Sequence, residues 1–144
     1  MDNQYIICEL EENDFEKYME LMYEFTQYKY DTTKEIFSKK MNNMKLNNYN
    51  KIILLYTFDK NELIGCGTII KLEKLHNNPI GQIEDVIISE KYRGKGLGKI
   101  IINKLVMIGI NEFKCYKIIL NCLDKNIEFY TKCGFNIAGI EMKY

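Results

Sequence analysis

The sequence predicts a single α/β domain over residues 1–144, with a mixed, mostly antiparallel sheet flanked by helices. Three observations carry that expectation. Two apolar runs, residues 51–58 and 63–72, are separated by the turn chemistry of Asp59-Lys60-Asn61, which reads as a hairpin. Apolar side chains recur at helical spacing in Phe15, Met19, Met22 and Phe25, and again along residues 100–113. The latter stretch lies between two strand-like segments, residues 82–89 and 116–122, so those strands should be parallel and joined by a right-handed crossover.

Taken in order, residues 4–10 alternate and carry Tyr5, Ile6 and Cys8, an opening strand. Asn13 and Asp14 offer caps for the helix that follows. Thr32 and Glu35 have capping-box spacing, opening a second helix with Ile36, Met41 and Met44. The hairpin comes next, and residues 75–80, with two asparagines and the lone Pro79, read as a loop. Beyond the crossover, residues 126–132 form a short helix that Gly134 can end in a left-handed conformation. Residues 135–142 read as a last strand, giving the order βααβββαβαβ. No linker or repeat interrupts it.

Composition narrows the function classes. Twenty basic residues balance twenty acidic ones, which argues against a nucleic-acid or anionic-membrane binder. The apolar run Ile100-Ile101-Ile102 is far too short to span a bilayer, and Met1-Asp2-Asn3-Gln4 lacks the pattern of a secretory leader. Five cysteines without a CxxC pair fit reduced thiols in a cytoplasmic compartment. A single histidine, His76, removes most zinc sites and histidine-based triads, so no metal is expected.

The most informative stretch is Arg93-Gly94-Lys95-Gly96-Leu97-Gly98-Lys99, which follows a strand and opens a helix. Free N–H groups and the positive end of the helix dipole favour an anion there, and the glycines let a ligand approach the backbone closely. Arg93, Lys95 and Lys99 add charge, so the stretch reads as a pyrophosphate cradle; a tight turn that binds nothing is the alternative. A P-loop would need Ser or Thr after its lysine, whereas Ile100 follows Lys99. A dinucleotide fingerprint would need Gly-x-Gly-x-x-Gly at the first strand–helix turn.

The run from Arg93 to Gly98 resembles the Q/R-x-x-G-x-G/A signature of the GNAT N-acetyltransferase superfamily. Gly81-Gln82-Ile83-Glu84-Asp85-Val86, Cys115-Tyr116-Lys117-Ile118, Asn126-Ile127-Glu128-Phe129-Tyr130 and the ending Lys132-Cys133-Gly134-Phe135 are similar, in that order, to its glucosamine-6-phosphate N-acetyltransferase family. The resemblance is close over the C-terminal 60 or so residues. It implies a sheet splayed between its fourth and fifth strands, a homodimer, and acetyl transfer from acetyl-CoA to the 2-amino group of glucosamine 6-phosphate. It places the acetyl-pantetheine arm along Val86, Ile87 and Ile88, and the pyrophosphate on residues 93–99.

An amine must be neutral to attack a thioester, so the site needs a route for its proton. The resemblance implies that Glu84 and Asp85 orient the sugar and that one of them removes that proton. Strand alternation would point the two side chains to opposite faces. A strand edge freed after Asp85 would offer a backbone donor to the acetyl carbonyl. Tyr130 matches the family tyrosine that serves the departing thiolate, although core packing is the commoner fate of an aromatic at helical spacing. Asn126 matches the polar residue at the pantetheine arm. Lys74, His76, Tyr116 and Lys117 are candidates for the sugar phosphate, and Thr26 matches a threonine that contacts the sugar.

Two features depart from the family. Asn121 stands where a carboxylate is common, and it can bond but not act as a base. After Tyr144 there is no counterpart of the family's arginine near the phosphate, a place that Lys143 would fill only as a point charge. Both departures bear on sugar-phosphate affinity. Two other outcomes stay open on these residues: transfer to a polyamine, aminoglycoside or protein amino terminus, and an acyl-CoA-binding domain without turnover. Cys115, Cys122 and Cys133 are expected to pack near the site rather than react.

Overall fold

A computed structural model describes residues 4–144; the reading of Met1, Asp2 and Asn3 as lacking a leader lies outside the described residues. Five strands form one sheet in the order β1 (Tyr5–Glu9), β2 (Asn50–Thr57), β3 (Leu63–Lys74), β4 (Asn77–Ile88) and β5 (Lys117–Leu120). Neighbours are antiparallel except β4 and β5, which run parallel as the crossover helix α3 (Leu97–Met107) demands. Helices α1 (Phe15–Thr26) and α2 (Lys34–Asn47) connect β1 to β2, and α4 (Ile127–Lys132) follows β5.

The sheet is buried on both faces. Ile101, Ile102 and Leu105 of α3 pack against Ile53, Leu55, Ile69 and Ile83 on one side. Leu21, Phe37 and Met41 of α1 and α2 pack against Leu54, Tyr56, Cys66 and Ile87 on the other. Double burial explains why β2 is a continuous apolar run rather than an alternating one. On β3, Gly67 makes room for α3: a Cβ there would stand 2.7 Å from both Ile101 and Leu105. Among the described residues no helix is long and apolar enough to cross a membrane.

Several local expectations are corrected. The main-chain N–H of Glu11 donates to the Asp14 carboxylate at 2.8 Å, in a reciprocal box that opens a 3-10 turn before α1, so neither Asn13 nor Asp14 caps α1 itself. Thr33, not Thr32, caps α2 by accepting the Ile36 N–H at 3.2 Å. The loop at residues 75–80 is only a hairpin tip at Leu75 and His76, with Asn77 already paired to Lys74. Pro79 is tolerated in β4 because the β3–β4 register shifts there, between Leu72 and Lys74, and its missing N–H leaves a gap in an already irregular ladder. Helix α3 starts at Leu97, three residues before its apolar periodicity.

The expected last strand at residues 135–142 does not form. The Phe135 N–H closes the end of α4 on the Tyr130 carbonyl at 3.0 Å, and Gly134 takes φ +97. Beyond it, Ile137, Ile140 and Met142 lie exposed and find no apolar surface to cover.

Candidate active site

The site begins where β4 and β5 part. β5 accompanies β4 only from Ile80 to Ile83, with Leu120 beside Ile83. From Glu84 to Ile88, β4 keeps β3 on one edge, while no described strand pairs with the other. That edge therefore offers main-chain donors and acceptors to a ligand. Asn121, the first residue after β5, is exposed at the mouth of the fork next to Glu84 in the parallel register.

A bulge sits at the root of the fork. Cys66 pairs with Ile87 and Thr68 with Glu84, so Gly67 alone opposes both Asp85 and Val86. Asp85 takes φ +50, a left-handed backbone uncommon for a non-glycine residue. The buried Cys66 thiol donates to the Asp85 carbonyl at 3.6 Å. Burial, then the nearby Asp85 charge, pushes that thiol up to about 12, so it stays protonated and inert.

The extra residue resets the alternation. Ile83, Val86 and Ile88 face α3, whereas Ile87 faces α1 and α2. Glu84 shares the α1–α2 face with its partner Thr68, and Gln82 donates to it at 2.5 Å. The Asp85 carboxylate bears electrostatically on Tyr18 and Cys66, which belong to the same side. Strict alternation, on which the expectation of opposite faces for Glu84 and Asp85 rested, is broken at this bulge.

The glycine-rich turn lies directly beyond β4. A 3-10 turn over Glu90–Tyr92 leads to Gly94 and Gly96, both at φ +75, and a Cβ on either would meet nothing within 4 Å. Gly96 is the N-cap of α3 and no side chain caps that helix, so its first N–H groups are available to an anion. The Arg93 Nε–H bonds the Ile88 carbonyl at 3.0 Å, tying the turn to the free strand edge. Lys95 and Lys99 are exposed, and the Lys95 ammonium stands 5.2 Å from the centre of the Tyr92 ring. Leu97 is buried in the core, so only its backbone can meet a ligand.

Helix α4 closes this side of the site. A Cβ on Gly98 would stand 2.9 Å from the Phe129 ring, so α4 packs directly on the first turn of α3. Tyr130, half-buried, packs edge-on against Phe129 and Phe135. Burial, then the Cys122 and Cys133 thiols, raises its phenol above the ordinary value. Cys115 and Cys133 pack against the α3 core, Cys133 at the end of α4 as expected and Cys115 beside Gly81, away from the fork. Cys122 is exposed, since β5 ends before it. Asn126 is exposed at the start of α4, its N–H on the Leu123 carbonyl.

The remaining candidates divide into two groups. Thr26 ends α1, where its hydroxyl donates to the Met22 carbonyl at 2.9 Å and accepts the Tyr28 N–H at 3.1 Å. Two residues earlier, Glu24 accepts from Ser89 and Glu90, which brings the end of α1 to the end of β4. Lys74 and His76 lie instead at the β3–β4 hairpin tip, seven or more residues along β4 from Glu84, or ~23 Å at the usual strand rise. Tyr116 and Lys117 sit beside Pro79 and Ile80, ~17 Å and ~13 Å from Glu84 on the same reckoning. The fork thus has Glu84 and residues 85–88 on β4, the glycine turn beyond them, and the end of α1 tied on through Glu24. It also has α4 with Tyr130 packed on the start of α3, and Asn121 after β5, while the four phosphate candidates lie toward the other end of the sheet. Sequence reading missed Glu24, Cys66 and Gln82. Only Gly65 and Gly67, glycines inside a strand, hinted at the bulge. A surface pocket of about 340 Å³ between α2 and the β1–β2 edge contains none of these residues.

Comparison with known proteins agrees with this geometry. Residues 7–135 match the acetyltransferase (GNAT) family. Glucosamine 6-phosphate N-acetyltransferase 1 of Dictyostelium discoideum is 37% identical over 137 residues, covering 92% of this chain and 85% of that protein. The glucosamine 6-phosphate N-acetyltransferase of Schizosaccharomyces pombe is 37% identical over 94 residues, 64% of this chain and 84% of that protein. The crystal structure of glucosamine-6-phosphate N-acetyltransferase from Arabidopsis thaliana superposes with a TM-score of 0.88 at 29% identity, covering 97% of each chain.

Proposed function

The chain belongs to the acetyltransferase (GNAT) family, and from that premise we propose that it transfers the acetyl group of acetyl-CoA to the 2-amino group of D-glucosamine 6-phosphate. The products are N-acetyl-D-glucosamine 6-phosphate and CoA. The observation that carries this reading is the fork: a free strand edge, bulged at Asp85, runs through two open glycines into a helix start that no side chain caps. These residues fit acetyl-CoA. Space lies open over Gly94 and Gly96, and Arg93, Lys95 and Lys99 supply the charge for a pyrophosphate. Main-chain groups of Val86, Ile87 and Ile88 suit an amide-bearing arm, and Asn126 sits on the α4 side of the same groove. We read residues 1–144 as one such domain.

Chemistry follows from the same placement. Glu84, held by Gln82 on the α1–α2 side, orients the sugar amine with Asp85 and accepts its proton directly or through water. The neutral amine attacks the acetyl carbonyl carbon, so a C–N bond forms as the C–S bond breaks. The N–H groups freed after the bulge stabilise charge on the carbonyl oxygen. The Tyr130 phenol, kept protonated by burial, gives its proton to the leaving sulfur. Thr26 and Asn121 complete the sugar side. We assign Lys74, His76, Tyr116 and Lys117 to the sugar phosphate only as the contribution of a second copy, since they stand at the far end of the sheet. The reading therefore includes a homodimer, to be checked by sedimentation equilibrium against the 17.1 kDa of one chain. The five free cysteines fit a reducing, cytoplasmic setting.

CoA release from acetyl-CoA, with glucosamine 6-phosphate set against unphosphorylated glucosamine, tests the function. Strong preference for the phosphate is expected. Equal turnover of both sugars, or none of either, would overturn the reading.

A further inference from the structure

Two residues in the region between α1 and the glycine turn break local rules. Glu24 places a carboxylate in the last turn of α1, at the negative end of the helix dipole, with no basic residue in that turn to offset it. Ser89 occupies the N-cap of the Glu90–Tyr92 turn, a place where serine normally caps, yet its hydroxyl makes no capping bond. One arrangement accounts for both. The Ser89 hydroxyl donates to Glu24 Oε2 at 3.0 Å, and the first N–H of the turn, that of Glu90, donates to Glu24 Oε1 at 2.5 Å. Glu24 caps the turn from another element.

The position of this bond pair matters. Ser89 is tied to β3 through its own N–H on the Ile64 carbonyl at 2.8 Å, and Arg93 is tied to Ile88. Glu24 therefore completes a frame that holds the short segment between the free β4 edge and the glycine turn. It does so from the helix whose final residue, Thr26, belongs to the sugar side. Both Glu24 and Ser89 are half-buried, where bonds to a carboxylate are stronger than in open water.

We propose that Glu24 is a positioning residue that couples the amino-sugar end of α1 to the acetyl-CoA turn. It fixes the approach of residues 89–96 and makes acetyl-CoA affinity sensitive to what occupies the α1 end. The inference rests on the acetyltransferase reading above.

The test measures by calorimetry the binding of acetyl-CoA alone, and of CoA with and without glucosamine 6-phosphate so that nothing is turned over, for the unaltered chain, Glu24→Ala, Ser89→Ala, the double variant and Glu24→Gln. Glu24→Ala should weaken acetyl-CoA binding about tenfold, the scale of losing bonds to a charged group. It should also abolish the change that the sugar phosphate makes to CoA affinity in the unaltered chain, and no such change there would overturn the coupling. The double variant should be no worse than Glu24→Ala, because the partners act as one unit. Glu24→Gln should recover most of the loss, since its amide can accept from Glu90 and donate to Ser89. Thermal midpoints separate this role from a merely structural one: a fall in midpoint with unchanged acetyl-CoA affinity would overturn the inference. Additive losses in the double variant would do the same. If the unaltered chain fails to bind acetyl-CoA, the function reading itself falls and takes this coupling with it.

Discussion

Gly96→Ala separates an anion cradle from a turn that merely changes direction. Gly96 takes φ +75 and an added Cβ meets no atom within 4 Å, so the fold bears only the cost of a left-handed backbone. For an L-residue that cost is about 1–2 kcal/mol, which for a chain of this size lowers the thermal midpoint by roughly 3–6 °C. The unaltered backbone here is the N-cap of α3, next to the uncapped N–H groups assigned to the pyrophosphate. A methyl group would occupy the space that the ligand needs, and the KM for acetyl-CoA should rise about 10- to 100-fold, or roughly 1.4–2.8 kcal/mol of binding. The value of kcat at saturation should change far less. Turnover is best followed by loss of thioester absorbance, because thiol reagents would also react with exposed Cys122. A lowered midpoint with an unchanged KM for acetyl-CoA would refute the cradle and leave the glycines a purely conformational role.

The other expectations concern the phenol, the buried thiol and the core. Tyr130→Phe should lower kcat about a hundredfold with little change in the KM for acetyl-CoA, as loss of a general acid does. Burial raises the Tyr130 phenol, so in the unaltered chain its ionisation should not depress the rate until above pH ~10, which a pH–rate profile checks. For Cys66 the folded value is about 12 against an ordinary thiol value of 9.0, so the folded chain holds a proton that the unfolded chain loses between them. Stability from this thiol is complete below pH 9 and falls as pH rises through that window, by up to about 1.4 kcal/mol per pH unit. Denaturant melts at pH 8 and pH 10 should show Cys66→Ala losing less stability on that rise than the unaltered chain. Ile101→Ala, at a fully buried site where α3 meets the sheet, should cost about 2–5 kcal/mol in urea unfolding.

Legibility in the sequence followed the range of the physics involved. The apolar periods that set α1, α2, α3 and the β2–β3 hairpin are local, and they survived folding with shifts of a few residues at helix starts, such as the Thr33 cap of α2 and Leu97 at the start of α3. The tail failed as a strand although its pattern alternates, because a strand needs a partner edge and an apolar surface as well as a pattern. The β3–β4 hairpin ran on through Asn77, Asn78 and Pro79, since pairing over a long ladder outweighs local turn preference.

By itself, the sequence determined the order of strands and helices as far as α4, the parallel crossover and the glycine turn before α3. Those depend on contacts within a few residues, on caps, and on the handedness of the chain. Only the tertiary structure decided that Asp85 is the bulged residue, since that is a register between strands and one residue of slip reverses every face beyond it. It also decided that Glu24 meets Ser89 across 65 positions, and that Lys74, His76 and Lys117 stand at the opposite end of the sheet from Glu84. Separation along the chain carries no such information, because packing of whole elements, not local preference, brings distant side chains together.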